Sequence, residues 1–177
     1  MSNFPPLEPP DLHFVRAAEG WLELRLPVEA EAELTQLSSG VSEHPAVLDA
    51  WWQLHAARRQ WDLACTAAEA LIAVAPDLLT GWIHRAYATR RKEGGGLTAA
   101  WEALLPAAAH FPDESLVPYN LACYACQLSR LEVARHWLQR ALVIADQNNH
   151  RPTLLQMAAA DADLAPLHAE IPDWRLP

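Results

Sequence analysis

The sequence has little positive charge, few cysteines and no long hydrophobic run. Its 13 lysines and arginines stand against 22 acidic residues, which gives a net charge of −9. Nucleic-acid-binding proteins usually carry a basic surplus, so we do not expect DNA or RNA as a partner. Three cysteines in 177 residues are too few for a secreted disulfide framework. No stretch approaches the roughly 18 apolar residues of a membrane span, so no membrane insertion is expected.

The N-terminus, MSNFPPLEPPD, has neither a basic head nor an apolar run. It therefore does not resemble a signal peptide, and a cytoplasmic location is expected. Its four prolines favour an extended, polyproline-like leader over residues 1–10, either disordered or packed along the body. The rest of the chain is apolar enough to bury a core, since hydrophobic residues make up 51 % of the sequence.

A repeat of about 34 residues runs through the chain. Two sets of landmark residues show this repeat. The first set consists of alanines, and the positions four and seven residues after each alanine are also apolar, as on one helix face. Their spacings are 34, 36 and 34 in the first set and 34, 34 and 36 in the second. Together the two sets place two extra residues between Trp82 and Ala100, where the sequence EGGG at 93–96 indicates a loop insertion. The sets are Ala30, Ala64, Ala100 and Ala134, and Phe14, Leu48, Trp82 and Pro118.

Each repeat is interpreted as two helices, which predicts an all-α fold. Pro27 and Pro45 suit the first turn of a helix, where a missing N–H costs nothing. The sequence SRLE at 129–132 is predicted to be a capping box that opens the last second helix. We expect first helices near 11–24, 45–58, 79–92 and 115–128, and second helices near 27–39, 61–74, 97–110 and 131–145.

The period and the residues that fill it resemble the tetratricopeptide repeat family, in its small bacterial form. Trp82 is followed four residues later by Ala86, and the alanine series of the second helices ends at Pro76 and Pro112. The resemblance implies an α-α superhelix of about four helix-turn-helix repeats. The repeats would cover 11–44, 45–78, 79–114 and 115–146.

The resemblance also implies a capping helix within residues 147–177. The physical reason is that the last repeat of a solenoid has an apolar face without a successor to cover it. We expect Leu154, Leu155, Met157 and Ala158 to lie on one such helix. The sequence DADLAPL at 161–167 is expected to turn back and hold its two leucines against the body.

In this family the first helices line a concave groove that holds a partner. Exposed aromatic residues together with arginine are typical of binding hot spots. The resemblance therefore implies a non-enzymatic module, monomeric or weakly dimeric, that binds a peptide or protein segment with acidic groups near Arg91. The alternative is that these side chains are merely solvated. The groove positions are Asp49, Gln53, His84, Tyr87, Arg91, Tyr119, Asn120, Cys123 and Gln127.

Two other functions stay open. The size, acidity and repeats also resemble secretion-type chaperones, which shield an aggregation-prone client. The Cys-x-x-Cys spacing of Cys123 and Cys126, together with His84, could instead indicate metal or redox chemistry. A redox pair usually lies at a helix N-terminus and these lie mid-helix, while a structural zinc needs four ligands. We therefore expect no catalytic residue, metal or cofactor.

Overall fold

The computed structural model describes residues 4–170 and Trp174, and within this part the regular structure is entirely helical. The first five helices are α1 (Asp11–Glu23), α2 (Pro27–Leu34), α3 (Pro45–Ala57), α4 (Trp61–Val74) and α5 (Leu79–Arg91). The next five are α6 (Leu97–Leu104), α7 (Ala107–His110), α8 (Leu116–Gln127), α9 (Leu131–Gln147) and α10 (Arg151–Ala160). Two short 3-10 helices span Ser39–Val41 and Ala162–Leu167. The predicted all-α class is confirmed.

Helix positions follow the repeat closely, with two exceptions among the second helices. Each first helix begins and ends within one residue of its predicted bounds. Helix α2 ends at Leu34, whereas the prediction extended it to residue 39. The predicted helix 97–110 is divided into α6 and α7, and Pro106 lies at the break because proline cannot donate the helical hydrogen bond there.

The prediction of a capping box at Ser129 is wrong. Helix α9 has Arg130 at its N-cap position, without a side-chain cap, and Ser129 has a φ of 59°. The amide of Arg130 donates to the carbonyl of Ala125 at 2.9 Å, which closes the end of α8. Arg25 and Arg59 occupy the same left-handed conformation after α1 and α3. Ser129 therefore ends a first helix, like its counterparts two and three helix pairs earlier.

The chain forms two compact units, Met1–Gly96 and Leu97–Pro177, which divide in the predicted glycine loop. Unit 1 holds α1–α5, and unit 2 holds α6–α10. Each unit has its own hydrophobic core, with Val47 and Leu54 in the first and Leu138 and Leu142 in the second. The four landmark alanines are fully buried, as the helix-face pattern predicts.

The described part of the proline-rich leader packs against unit 1. Leu7 is buried in the core that α1, α2 and α3 form. The ring of Phe4 meets the ring of His44 edge-on with centroids 5.8 Å apart. The Nε2 atom of His44 lies 3.0 Å from the carbonyl oxygen of Pro5. Of the two interpretations of the leader, packing along the body is therefore the one the structure shows for residues 4–10.

The C-terminal region covers the core of unit 2. Helix α10 packs against α9 and buries Leu154 and Ala158, whereas Met157 lies on the exposed side. After α10 the chain returns over α8 as the 3-10 helix Ala162–Leu167. Leu164 and Leu167 are fully buried there. The expected return of the two leucines to the body is confirmed.

Candidate functional site

In unit 1, helices α3 and α5 bring three of the predicted groove residues together. The Nε2 atom of His84 lies 2.8 Å from Oδ1 of Asp49. The amide of Gln53, one turn further along α3, donates to Oδ2 of the same carboxylate at 2.7 Å. Both oxygens of Asp49 are thus engaged, which fixes the position of His84 on the neighbouring helix.

A row of aromatic rings and one arginine continues from His84. Trp52 stacks on His84 with centroids 3.4 Å apart and the ring planes within 1° of parallel. Tyr87 places its ring edge-on to Trp52 and to Trp61, each at 5.9 Å. The guanidinium of Arg91 lies 3.4 Å from the centroid of Tyr87, which is cation–π geometry. We call these five residues, Trp52, Trp61, His84, Tyr87 and Arg91, the aromatic row.

The aromatic row is held in place and still accessible. Tyr87 keeps 40 % of its surface exposed. A second bond fixes Arg91, whose Nη1 donates to the carbonyl oxygen of Tyr87 at 3.1 Å. Trp52 and Trp61 pack their other sides against Ala64, Cys65 and Ala88. A partner would therefore meet side chains that have little conformational freedom left to lose on binding.

The helix α1 side of this face is acidic. Glu19, Leu22 and Glu23 of α1 and Trp52, Gln53 and Ala57 of α3 line an open cleft of about 530 Å³. Burial and the charge of Asp49 raise the pKa of Glu19, and Glu23 adds to this against the opposing charge of Arg16.

The pKa of Asp49 shifts in the opposite direction, downward. Burial alone would raise its pKa, but hydrogen bonds from His84 and Gln53 outweigh burial and lower it. Asp49 therefore stays a carboxylate, and its charge contributes to the acidity of the cleft beside it.

In unit 2, three of the four predicted groove residues contact the chain's own C-terminal segment. The fourth is Asn120, whose amide donates to the carbonyl oxygen of Leu116 in its own helix. The hydroxyl of Tyr119 donates to Oδ2 of Asp161 at 2.8 Å, and Sγ of Cys123 lies 3.6 Å from the same oxygen. The amide of Gln127 donates to the carbonyl oxygen of Asp163 at 3.1 Å. Tyr119 is only 4 % exposed as a result. A partner would reach Tyr119 and Cys123 only after this segment moved.

The Cys-x-x-Cys pair is part of the same covered region. Cys123 and Cys126 are free thiols and both are buried. Burial, together with the nearby charge of Asp161, raises the pKa of Cys123 far above the ordinary thiol value. Burial, together with Asp163, also raises the pKa of Cys126. Such surroundings favour the neutral thiol over the nucleophilic thiolate.

Sequence reasoning missed three contributors to these surfaces. Trp52 and Trp61 were not among the predicted groove residues, although each forms part of the aromatic row. The spacing of Trp52 three residues after Asp49 places both on one face of α3 and was the available signal. Asp161 had no such signal, since it lies 38 residues beyond Cys123 in a segment without periodicity.

Comparison of the chain with models of protein families finds no match, and comparison with curated proteins finds none either. Among the described residues, no group of three or more His, Cys, Asp or Glu side chains is placed to hold a metal ion. No helix in this part of the chain is long and apolar enough to cross a membrane. The physical basis for assigning a function is therefore the chemistry of the two faces.

Proposed function

We propose that the chain is a non-enzymatic, tetratricopeptide-like interaction module that binds a segment of another protein on the α1–α3–α5 face of unit 1. The observation that carries this proposal is the aromatic row, an ordered stack that remains accessible at Tyr87 and Arg91. Aromatic and arginine side chains dominate the energetics of protein interfaces. Their pre-ordering by Asp49 lowers the entropy cost of association. We also propose that the protein works in the cytoplasm, as a monomer or a weak dimer.

The charges of this face define the partner segment. Arg91 at the end of α5 suits an acidic group. The cleft beside Trp52 suits a lysine or arginine, whose aliphatic stem would lie along Leu22 while its charged end meets Glu19 and Glu23. Burial raises the pKa of Glu19, and repulsion from Asp49 and Glu23 adds to this; a cation there would offset that repulsion. The proposed segment therefore carries a basic residue at one end and an acidic residue at the other.

The thiol alternative draws no support from its surroundings. A reactive cysteine needs a lowered pKa and access to solvent. Cys123 and Cys126 have the opposite properties, since both are buried and both have a raised pKa.

The test is site-specific photo-crosslinking followed by affinity measurement. Tyr87 is replaced by benzoylphenylalanine in the full chain, which is then irradiated in lysate of the source cells. Val28, an exposed residue of α2, serves as the matched control position. We expect a product at position 87 that is absent at position 28.

The crosslinked protein is then purified and its affinity is measured by calorimetry. The double substitution Tyr87→Ala/Arg91→Ala should weaken binding by about tenfold or more, and Glu19→Gln/Glu23→Gln should weaken binding of the basic end. Equal crosslinking at both positions, or affinity unchanged by both pairs of substitutions, would show that this face does not bind the partner.

A further inference from the structure

The segment at residues 161–170 contacts α8 in the way a bound peptide contacts a receptor helix. Three side chains at successive turns of α8 meet it: Tyr119, Cys123 and Gln127. They recognise one carboxylate, that of Asp161, and one main-chain carbonyl, that of Asp163. Two leucines, at three and six residues after Asp161, are fully buried in the unit 2 core.

A second anchor lies at the far end of the segment. The guanidinium of Arg135 on α9 donates to both carboxylate oxygens of Glu170, at 2.7 and 2.8 Å. This bidentate geometry is the strongest form of an arginine–carboxylate contact. The segment is therefore held by an acidic residue at each end and by two leucines between them.

The helix positions that hold the segment are repeat equivalents of the open positions in unit 1. Cys123 and Gln127 lie 36 residues after Tyr87 and Arg91, which is the spacing of the repeat across the glycine loop. In unit 1 this row is accessible, with Tyr87 and Arg91 both exposed. In unit 2 the segment buries Cys123 and accepts a hydrogen bond from the amide of Gln127, whose side chain stays exposed. The repeat thus presents a segment-binding row twice, and one copy is already occupied.

We propose that the α8 face of unit 2 is a second binding site, and that residues 161–170 are its intramolecular ligand. The site takes a segment of another protein with the pattern Asp-x-x-Leu-x-x-Leu, followed three residues later by an acidic residue. Such a segment binds by replacing residues 161–170. Because the internal segment is tethered, its effective concentration is on the order of millimolar, and a partner must exceed that competition.

The test measures binding of the segment in trans to the full-length chain. The probe is a fluorescent peptide with the sequence of residues 159–170, and its anisotropy is followed with wild type and two variants. Glu170→Gln weakens only the Arg135 anchor and leaves the core intact. Leu164→Ala/Leu167→Ala removes the apolar anchors of the internal segment. The control peptide carries alanine at both leucine positions.

We expect the peptide to bind Glu170→Gln about fivefold more tightly than wild type, since a charge-assisted contact of the competitor is lost. Leu164→Ala/Leu167→Ala should bind it at least about thirtyfold more tightly than wild type. With either variant, a peptide that carries Asp161→Asn should bind about tenfold more weakly than the parent peptide, because the charged acceptor of the Tyr119 hydroxyl is lost while the internal segment is unchanged. The control peptide should not displace the fluorescent peptide. Tyr87→Ala/Arg91→Ala should leave peptide affinity unchanged, which separates this site from the face of unit 1.

Failure of the peptide to bind either variant, in samples whose circular dichroism matches wild type, would overturn the proposal and make the segment a fixed cap. Glu170→Gln keeps this outcome measurable if the double leucine variant does not fold. Equal binding of the parent peptide and the Asp161→Asn peptide would also overturn it. A dimer that forms with rising concentration and dissociates on adding peptide would assign the site to a second copy of the chain and refute the foreign segment.

Discussion

Asp49→Asn should lower the stability of the protein because the carboxylate holds α3 and α5 together at the aromatic row. The structure shows two hydrogen bonds to it, from His84 at 2.8 Å and from Gln53 at 2.7 Å. Bonds to a charged acceptor contribute about 1.5–3 kcal/mol each, and asparagine keeps part of each bond. We therefore expect a loss of about 1–3 kcal/mol in the free energy of unfolding near pH 7.

The sign of the pH dependence follows from the lowered pKa of Asp49. His84 and Gln53 hold this pKa below its ordinary value in the folded chain, despite the opposing effect of burial. A carboxylate with a lowered folded pKa contributes its full stability above the unfolded value of about 3.9, and loses it as the pH falls through the folded value. The difference between wild type and Asp49→Asn should thus be constant above about pH 5 and shrink as the pH falls below 4.

The assay is urea unfolding followed by circular dichroism, between about pH 7 and pH 3. His84→Ala and the double variant complete a double-mutant cycle, in which we expect a coupling energy of about 1 kcal/mol or more. The exposed Asp146 provides the matched control, since Asp146→Asn should change stability by less than about 0.5 kcal/mol. A coupling energy of zero would refute the reasoning. So would a difference in unfolding free energy between wild type and Asp49→Asn that stays the same as the pH falls through the acid range.

Two further predictions concern the helix ends and the thiols. Ser129→Gly should raise the free energy of unfolding by up to about 1 kcal/mol in urea, because Ser129 has a left-handed φ that glycine adopts without strain; Ser42→Gly, at a right-handed φ, should give no gain. Cys123 and Cys126 should react with iodoacetamide at least about tenfold more slowly in the folded chain than in guanidinium, because burial raises the pKa of both. Mass spectrometry of the alkylated peptides measures this, and equal rates in both states would contradict it.

Helix positions could be predicted from the sequence because they depend on local periodicity. The landmark alanines recur where second helices pack, and all four are fully buried. The end of α8 could not be predicted in this way. The pattern SRLE fits the start of α9 as well as the end of α8, and the closing bond from Arg130 to Ala125 decides between them. That bond depends on where α8 ends in space, and a capping pattern does not encode this.

The candidate site also has one part that the sequence could predict and one part that it could not. Asp49 and His84 lie on the first helices of successive repeats, so the sequence could place them on a common face. Their hydrogen bond and the stacking of Trp52 depend on side-chain orientations that periodicity does not define. The covering of Tyr119 depends on Asp161, which lies 42 residues away in a segment outside the repeat. Contacts made by non-repeating segments carry no periodic signal.

The chemistry of two equivalent positions accounts for the difference between the two faces. At Tyr87 the row carries a large ring, and that ring is engaged by Trp52, Trp61 and Arg91. This leaves an exposed aromatic surface over α5 at this position. At Cys123 the side chain is small, so the carboxylate of Asp161 approaches α8 within hydrogen-bond distance of Tyr119. A small residue at this position favours a segment laid directly on the helix, whereas a large one favours recognition through side chains.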